Sequence, residues 1–147
     1  MKVCHFDKIF ASLIVYRHNL HILHWKISGH NFEDMHKLLD DYVSKFNSFI
    51  DEIGEMMLSL NCNPLALSDC IHILENDEEY FLMLDPSEDY DMEDALSAMD
   101  KMFTDMMVMY MTLYKEVELP DDCKSKLDEH RYWFRIENSY KNKRRMI

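Results

Sequence analysis

Glycine and proline, the residues that most readily end a helix, are scarce in this chain, with two Gly and three Pro in 147 residues. Met, Leu, Lys and Glu, which favour helices, are abundant. A chain of this length suits one domain with a substantial core. The sequence therefore predicts a single all-α domain over residues 1–147, built from a few long helices.

Turn signals divide the chain into four long helices and one short helix. Gly29 is expected to end the first helix, Asn31 to cap the second, and Pro64 to prevent the second from continuing. The long helices are predicted over residues 5–28, 31–60, 91–116 and 120–142, and the short one over 65–74. Four long helices with short connections predict a four-helix bundle with an extra short helix between the second and third.

The overall charge is strongly negative, with a formal value of −12. Such a charge argues against broad nucleic-acid binding and favours cationic partners, including metal ions. Ten of the twenty residues from 75 to 94 are Asp or Glu, and we expect this stretch to be a solvated turn region. No run of about 18 apolar residues and no signal-peptide pattern is present, and the four Cys lack zinc or C-x-x-C spacing. These features predict a cytoplasmic protein without a membrane segment.

Four side chains of metal-ligand type lie on one stripe of the second helix: His36, Asp40, Asp51 and Glu55. His36 and Asp40 are four residues apart, as are Asp51 and Glu55, so each pair shares a face. At the helical repeat, all four fall within an arc of roughly 100°. However, Asp40 and Asp51 are separated by about 16 Å along the axis, so the four cannot surround one metal within a single helix.

A second copy of the helix, laid antiparallel across the first, would bring the two pairs together. Residue 36 of one copy would then face residue 55 of the other, and residue 40 would face residue 51. Both facing pairs are centred on residues 45 and 46, so a single two-fold axis there aligns both. The apolar residues of the helix point the opposite way, and the residues between the pairs are small or modestly polar: Val43, Ser44, Asn47 and Ser48. This arrangement predicts a metal site formed by dimerisation. An ordinary polar surface with accidental spacing remains the alternative interpretation.

His24 adds a ligand from the first helix. His24 and His36 each lie six residues from His30 in the turn, so antiparallel packing places them side by side at the same depth. A lone histidine is more often structural than a ligand, but one beside the His36 and Asp40 pair is a credible ligand. Two imidazoles and three carboxylates form a mixed N/O set suited to iron, manganese or zinc, with iron favoured for redox chemistry.

These residues resemble the motif of the Dps family, the mini-ferritins (DNA-binding proteins from starved cells). The pattern is H-W-x3-G-H-N-F-x3-H-x3-D-D-x9-D-E-x2-E. It is formed by His24, Trp25, Gly29, His30, Asn31, Phe32, His36, Asp40, Asp41, Asp51, Glu52 and Glu55. His130 and Trp133 resemble a further family pattern, K/H-x-x-W, in the last helix. The resemblance implies a single ferritin-like, Dps-type domain.

The resemblance also implies a ferroxidase centre and a cage. His24, His36 and Asp40 of one subunit and Asp51 and Glu55 of its two-fold mate would bind iron, as a dinuclear Fe(II)/Fe(III) centre in which zinc or manganese can substitute. The assembly would be a homo-oligomer, a hollow dodecamer built from dimers. It would oxidise ferrous iron with hydrogen peroxide or dioxygen, store a ferric mineral and protect against oxidative damage. Trp25 resembles the tryptophan near that centre, either as a catalytic electron donor or as a packed aromatic under the first helix.

Two alternative functions and one pore site remain open from the sequence. A basic C-terminal tail could bind and compact DNA, with the metal mainly structural; its cations are Lys141, Lys143, Arg144 and Arg145. The same cations could instead complement the negative end of the last helix. A cage without catalysis, in which metal is only a structural staple, is the other alternative. Asp121 and Asp122 could line an iron pore.

Overall fold

The computed structural model describes residues 4–80 and 82–147, and this part of the chain is helical with short connections. The helices are α1 (Asp7–Lys26), α2 (Phe32–Ser59), α3 (Leu67–Glu75), α4 (Met92–Glu116) and α5 (Asp121–Phe134). The chain continues from α5 without a break through a π-helix, Arg135–Asn142, and a final α-helical turn, Lys143–Arg145. The predicted fold, a four-helix bundle with a short extra helix before the third long helix, is confirmed. None of the described helices is both long enough and apolar enough to cross a membrane.

The turn between α1 and α2 depends on two residues with left-handed backbone angles. Gly29 has φ +89°, a conformation that favours glycine, and it follows the end of α1 as predicted. Asn31 has φ +66° and directly precedes α2, but its side chain accepts no bond from the helix. A capping side chain reaches the helix from an extended backbone, which Asn31 lacks. The predicted side-chain cap at Asn31 is therefore wrong, although the predicted start of α2 is confirmed.

Two backbone hydrogen bonds hold this turn against the loop before α4. The amide of Ser28 donates to the carbonyl of Tyr90 at 2.9 Å, and the amide of Tyr90 donates to the carbonyl of Lys26 at 3.0 Å. They form an isolated parallel bridge between Ile27 and Tyr90. The bridge fixes the tight turn from which α1 and α2 run antiparallel.

The acidic stretch after α3 is only partly the solvated turn that the sequence predicts. Leu84 is buried, and Asn19 of α1 donates its side-chain amide to the carbonyl of Leu82 at 2.6 Å. Lys8 of α1 forms an ion pair with Asp77. The backbone of Leu82 and Leu84 and the carboxylate of Asp77 therefore attach the stretch to α1, while most of its other carboxylates remain at the surface.

The centre of the bundle is an aromatic cluster contributed by three helices. Its members are Tyr42, Phe46 and Phe49 of α2, Phe103 of α4, and Trp133 and Phe134 of α5. Phe46 is fully buried, with ring centroids 5.6 Å from Phe134 and 5.9 Å from Phe103. This cluster fixes the direction of α2, and the metal-ligand stripe lies on the side of α2 away from the cluster.

Replacing Phe46 by alanine is expected to lower the free energy of unfolding by about 3–5 kcal/mol, the cost of a buried cavity of this size. Urea unfolding at one fixed protein concentration measures the effect, because an oligomer's apparent stability depends on concentration. Tyr132→Ala, at a ring that is 57% exposed, is the control and should change the value by less than about 0.5 kcal/mol. Equal losses in the two variants would contradict the central position of Phe46.

Candidate metal centre

The predicted stripe lies on one unbroken helix. His36, Asp40, Asp51 and Glu55 all belong to α2, so the helical spacing used to align them applies without interruption. Asp40, Asp51 and Glu55 are exposed, and His36 is half-buried. No Lys or Arg in the described part of the chain lies within ion-pairing distance of these three carboxylates. The stripe is therefore a row of accessible carboxylates beside an imidazole.

The opposite side of α2 is the apolar side, as the sequence predicts. Leu39, Phe46 and Ile53 are fully buried there. Val43, expected among the small residues of the stripe, is instead 5% exposed and belongs to the core. The reason is that α1 covers one edge of the stripe, where Arg17 donates to Asn47 Oδ1 at 2.9 Å.

His24 and His36 lie side by side at the same level along α1 and α2. This confirms the position expected from their equal separation in sequence from His30. Their rings are stacked, with centroids 3.8 Å apart and an angle of 18° between planes. Nδ1 of His24 lies 2.9 Å from the carbonyl oxygen of His36, and Nδ1 of His36 lies 2.8 Å from the carbonyl oxygen of His24. The two residues therefore form a reciprocal pair of side-chain to backbone hydrogen bonds.

This reciprocal pairing fixes the tautomer of both rings. A backbone carbonyl can only accept, so each Nδ1 must carry the hydrogen and donate it. In a neutral imidazole the other nitrogen, Nε2, then keeps its lone pair, which is the form that binds a metal ion. A hydrogen bond from the non-ligating nitrogen is also the usual way in which proteins orient a histidine ligand. The chemistry of His24 and His36 therefore fits a metal ion.

Further rings stack next to the His24 and His36 pair on both α1 and α2. Phe32 stacks on His36 with centroids 5.1 Å apart, and His21 stacks on Trp25 at 5.2 Å. Burial lowers the pKa of His21, so the ring that stacks on Trp25 is neutral at neutral pH. His21 was not predicted from the sequence, and Phe32 was named only as part of the motif, although each lies four residues before its partner, a spacing that predicts contact on a helix.

Trp25 itself lies at the surface. Its side chain is 62% exposed, and its ring contacts are with His21 and, edge-on at 6.3 Å, His18. The interpretation of Trp25 as a packed aromatic under the first helix is therefore wrong for the single chain. An exposed indole next to His24 is accessible to a small oxidant or to a second protein chain.

The two halves of the stripe stay apart within one chain. Among residues 4–80 and 82–147, no three or more His, Cys, Asp or Glu side chains lie close enough together to hold a metal ion. The structure brings together His24 and His36, with Asp40 one turn further along α2. Asp51 and Glu55 lie towards the other end of the same helix.

Glu52, the neighbour of Asp51, has a different environment from the stripe. Lys126 of α5 lies 3.0 Å from its carboxylate. Burial alone would raise the pKa of Glu52, but the hydrogen bond and positive charge of Lys126 outweigh burial and hold the pKa below its ordinary value. Glu52 therefore connects α2 to α5.

An open groove joins this connection to the start of α5. The groove has a volume of about 530 Å³, and its lining includes Asp122, Lys126, Glu52 and Glu55. One of the two acidic residues predicted for an iron pore, Asp122, thus lies on the same groove as the candidate ligand Glu55. Any pore would need further chains, so the pore remains a prediction.

Comparisons with known proteins agree with this fold. The ferritin-like domain family matches residues 5–125 of the chain. The chain is 36% identical over 56 residues to the DNA protection during starvation protein of Listeria innocua, a match covering 38% of this chain and 36% of that protein. It is 30% identical over 60 residues to general stress protein 20U of Bacillus subtilis, covering 41% of each. These matches span well under two thirds of the relatives' lengths.

Solved structures of Dps proteins share the fold over nearly the whole chain. The Dps protein of Vibrio cholerae O1, described as a member of a broad superfamily of ferritin-like diiron-carboxylate proteins, superposes with a TM-score of 0.83 at 14% identity, covering 97% of this chain and 87% of that one. The Dps protein of Bacillus brevis gives 0.80 at 17% identity, covering 97% and 93%. The chain belongs to the ferritin-like domain family. The Dps-named relatives and solved structures confirm the resemblance to Dps proteins that the motif predicts.

Proposed function

We propose that this Dps-type protein is a ferroxidase that oxidises Fe(II) with hydrogen peroxide and stores the ferric product in a hollow cage. The observation that carries the proposal is the His24 and His36 pair, in which both Nδ1 atoms donate to backbone carbonyls. Both Nε2 atoms are therefore available to a metal ion next to the exposed Asp40. In a ferritin-like bundle, such a donor set suits ferrous iron as the substrate.

The proposed centre takes its remaining ligands from a second copy of the chain. An antiparallel crossing of two α2 helices near residues 45 and 46 would bring Asp51 and Glu55 of one copy to His36 and Asp40 of the other. Ser44, Asn47 and Ser48 are exposed at the middle of the stripe and are small enough for a close approach. A two-fold axis makes the contact self-complementary and would give one centre at each end.

The chemistry proposed for this centre is a two-electron reduction of peroxide. Two Fe(II) ions each give one electron, and with two protons the peroxide becomes two water molecules, so no hydroxyl radical is released. Three carboxylates stabilise the higher charge of Fe(III) more than that of Fe(II), which favours oxidation. Asp51, Glu55 and His24 would hold the tighter iron, and His36 and Asp40 would line the weaker position.

Trp25 is proposed as an electron donor beside this centre. It follows His24 directly, and its indole is exposed on the same end of α1 that carries the ligand. If peroxide meets a centre that holds only one Fe(II), Trp25 could supply the second electron. We further propose a dimer-built dodecamer in the cytoplasm as the assembly, in which the iron mineral would be enclosed.

The alternative of DNA binding through the basic tail receives less support from the tail's contacts. Lys141 pairs with Glu137 at 2.9 Å, and Lys143 lies 3.4 Å from Asp100. Arg145 donates to Asn142 Oδ1 at 2.6 Å. Two of the four tail cations are thus paired with carboxylates, which reduces the positive charge that the tail offers to phosphates, while the bond of Arg145 to a neutral amide leaves its charge unchanged.

The proposed function is tested by adding Fe(II) to the metal-free protein without oxygen and then adding peroxide. We expect saturation at about two Fe(II) per subunit, as a dinuclear centre requires, and about one peroxide consumed for every two Fe(II) oxidised. The mass of the assembly is recorded on the same sample. Hydroxyl-radical adducts of a spin trap at the level of protein-free buffer, or Fe(II) binding that saturates well below two ions per subunit, would overturn the proposal.

A further inference from the structure

A tyrosine and a histidine form a hydrogen-bonded pair in the core, away from the proposed metal centre. Tyr110 of α4 and His130 of α5 are each 1% exposed, and the phenolic oxygen of Tyr110 lies 2.8 Å from Nδ1 of His130. His130 also stacks on Phe49, with centroids 3.8 Å apart. Burial raises the pKa of Tyr110 well above its ordinary value, so the phenol keeps its proton.

Glu52 determines which nitrogen of His130 carries the hydrogen. Nε2 of His130 lies 3.5 Å from Oε2 of Glu52 and has no hydrogen-bond partner within the described residues. The carboxylate favours the hydrogen on the nitrogen that faces it, which leaves the lone pair on Nδ1 to accept the Tyr110 hydroxyl. Burial lowers the pKa of His130 to about 4, so the ring is a neutral base at neutral pH.

Aromatic rings connect this pair to the surface. Trp133 is half-buried and lines an open groove of about 460 Å³ between α2 and α5, together with His130 and Lys126. The indole lies 5.1 Å from the ring of Phe134, which lies 5.8 Å from the ring of Tyr110. Indole and phenol are the side-chain rings that lose an electron most readily. An oxidant in the groove would therefore meet the indole of Trp133 as well as the exposed phenol of Tyr132, and the ring of Phe134 lies between Trp133 and Tyr110.

We infer that Tyr110 and His130 form a one-electron redox site that removes oxidising equivalents from the surface at Trp133. Its oxidant is a small one-electron oxidant such as hydroxyl radical. Trp133 gives one electron to the radical, which becomes hydroxide, and then recovers an electron from Tyr110. As Tyr110 is oxidised, its O–H bond breaks and the proton moves to Nδ1 of His130. The products are a neutral tyrosyl radical, a histidinium ion and hydroxide.

The proton acceptor is what makes a buried tyrosine usable for this step. Oxidation without proton loss would leave a cationic ring in an apolar core, and an unpaired buried charge is very costly. Transfer to His130 instead places the positive charge next to the Glu52 carboxylate. Tyr16 also donates to a carboxylate, Asp105, but Lys101 already pairs with that carboxylate at 2.7 Å and weakens it as a base.

The test uses the metal-free protein, so its outcome does not depend on the proposed ferroxidase activity. The measurement is made in a Trp25→Phe background, in which Trp133 is the one tryptophan left in the sequence. Azidyl radicals generated by pulse radiolysis oxidise tryptophan, and the optical spectra of the indolyl and tyrosyl radicals are followed in time. We expect the indolyl signal to decay as a tyrosyl signal grows. Tyr110→Phe should lose that growth, whereas Tyr42→Phe, at a tyrosine also buried beside Trp133, should retain it.

Two further measurements separate proton transfer from a structural role. His130→Gln keeps an acceptor for Tyr110 but cannot take its proton, so the tyrosyl growth should slow and its solvent deuterium effect should disappear. In the unaltered protein with ¹⁵N-labelled histidine, the trapped tyrosyl radical should show a magnetic coupling to one histidine nitrogen. Of the tyrosines in the described residues, Tyr110 has its hydroxyl hydrogen-bonded to a histidine and Tyr16, Tyr42 and Tyr90 do not.

The coupling measurement needs no substitution, so the inference stays testable if Tyr110→Phe fails to fold. Circular dichroism and the mass of the assembly establish whether each variant is intact. Unchanged tyrosyl growth in folded Tyr110→Phe would overturn the inference. A tyrosyl radical without histidine nitrogen coupling would overturn it equally.

Discussion

Replacing Asp51 and Glu55 together by alanine is expected to reduce peroxide-driven Fe(II) oxidation to the rate in protein-free buffer. Both residues are exposed and form no ion pair in the described part of the chain, so removing them leaves no buried charge without a partner. Alanine also has the highest helix propensity. The fold should therefore remain intact while each proposed centre loses two of its three carboxylates. Stopped-flow absorbance of ferric iron measures the rate.

A matched control comes from the same helix. Asp34 and Asp41 are also exposed carboxylates of α2, but their directions are roughly 100° away from the middle of the stripe. Asp34→Ala combined with Asp41→Ala removes the same charge and should leave the oxidation rate close to that of the unaltered protein. Unchanged oxidation in the Asp51 and Glu55 variant, or equal losses in both variants, would reject the ligand assignment.

Mixing two inactive variants is expected to restore about one quarter of the activity, because the proposed centre is shared between two chains. One variant lacks His24 and His36, and the other lacks Asp51 and Glu55. Random pairing makes half of the dimers mixed, and a mixed dimer has intact ligands at one of its two ends. Half of the dimers with half of their centres gives about a quarter.

Co-expression with two different affinity tags allows the mixed assemblies to be purified and assayed. Each variant expressed alone should oxidise Fe(II) at the buffer rate. A centre built within one chain predicts no recovery in the mixture, because every chain then lacks part of its own ligand set. Recovery above about one half would also contradict the arrangement, since no mixed dimer can hold two complete centres.

The sequence predicted the parts of this molecule that depend on helical repeat alone. The i,i+4 spacing of the stripe and the depth of His24 beside His36 need only an unbroken helix and a tight turn, and both are present. The ends of α1 near Gly29 and of α2 before Pro64 were also predictable, because they depend only on the local backbone preferences of glycine and proline. The burial of Val43 was not, because it depends on how closely α1 covers the edge of α2.

Features that depend on side-chain direction or on contacts between distant segments could not be predicted from the sequence. The Nδ1 bonds of His24 and His36 require both the rotamers and the facing carbonyls, which a one-dimensional pattern does not contain. The left-handed backbone at Asn31 replaced an expected cap. The attachment of the acidic stretch to α1 through Leu84 and Asn19 involves residues 65 positions apart.

The reciprocal hydrogen bonds between His24 and His36 also bear on how tightly a cation can be held. A surface imidazole normally gives up its torsional freedom when it captures an ion, and such ordering costs about 0.5–1.5 kcal/mol per side chain. In this chain that loss has already occurred on folding, since each ring is locked by the other helix's backbone. The capture step would begin from a nearly rigid receptor. Substituting one histidine would remove the ring stack but leave the other ring's bond to the backbone carbonyl in place.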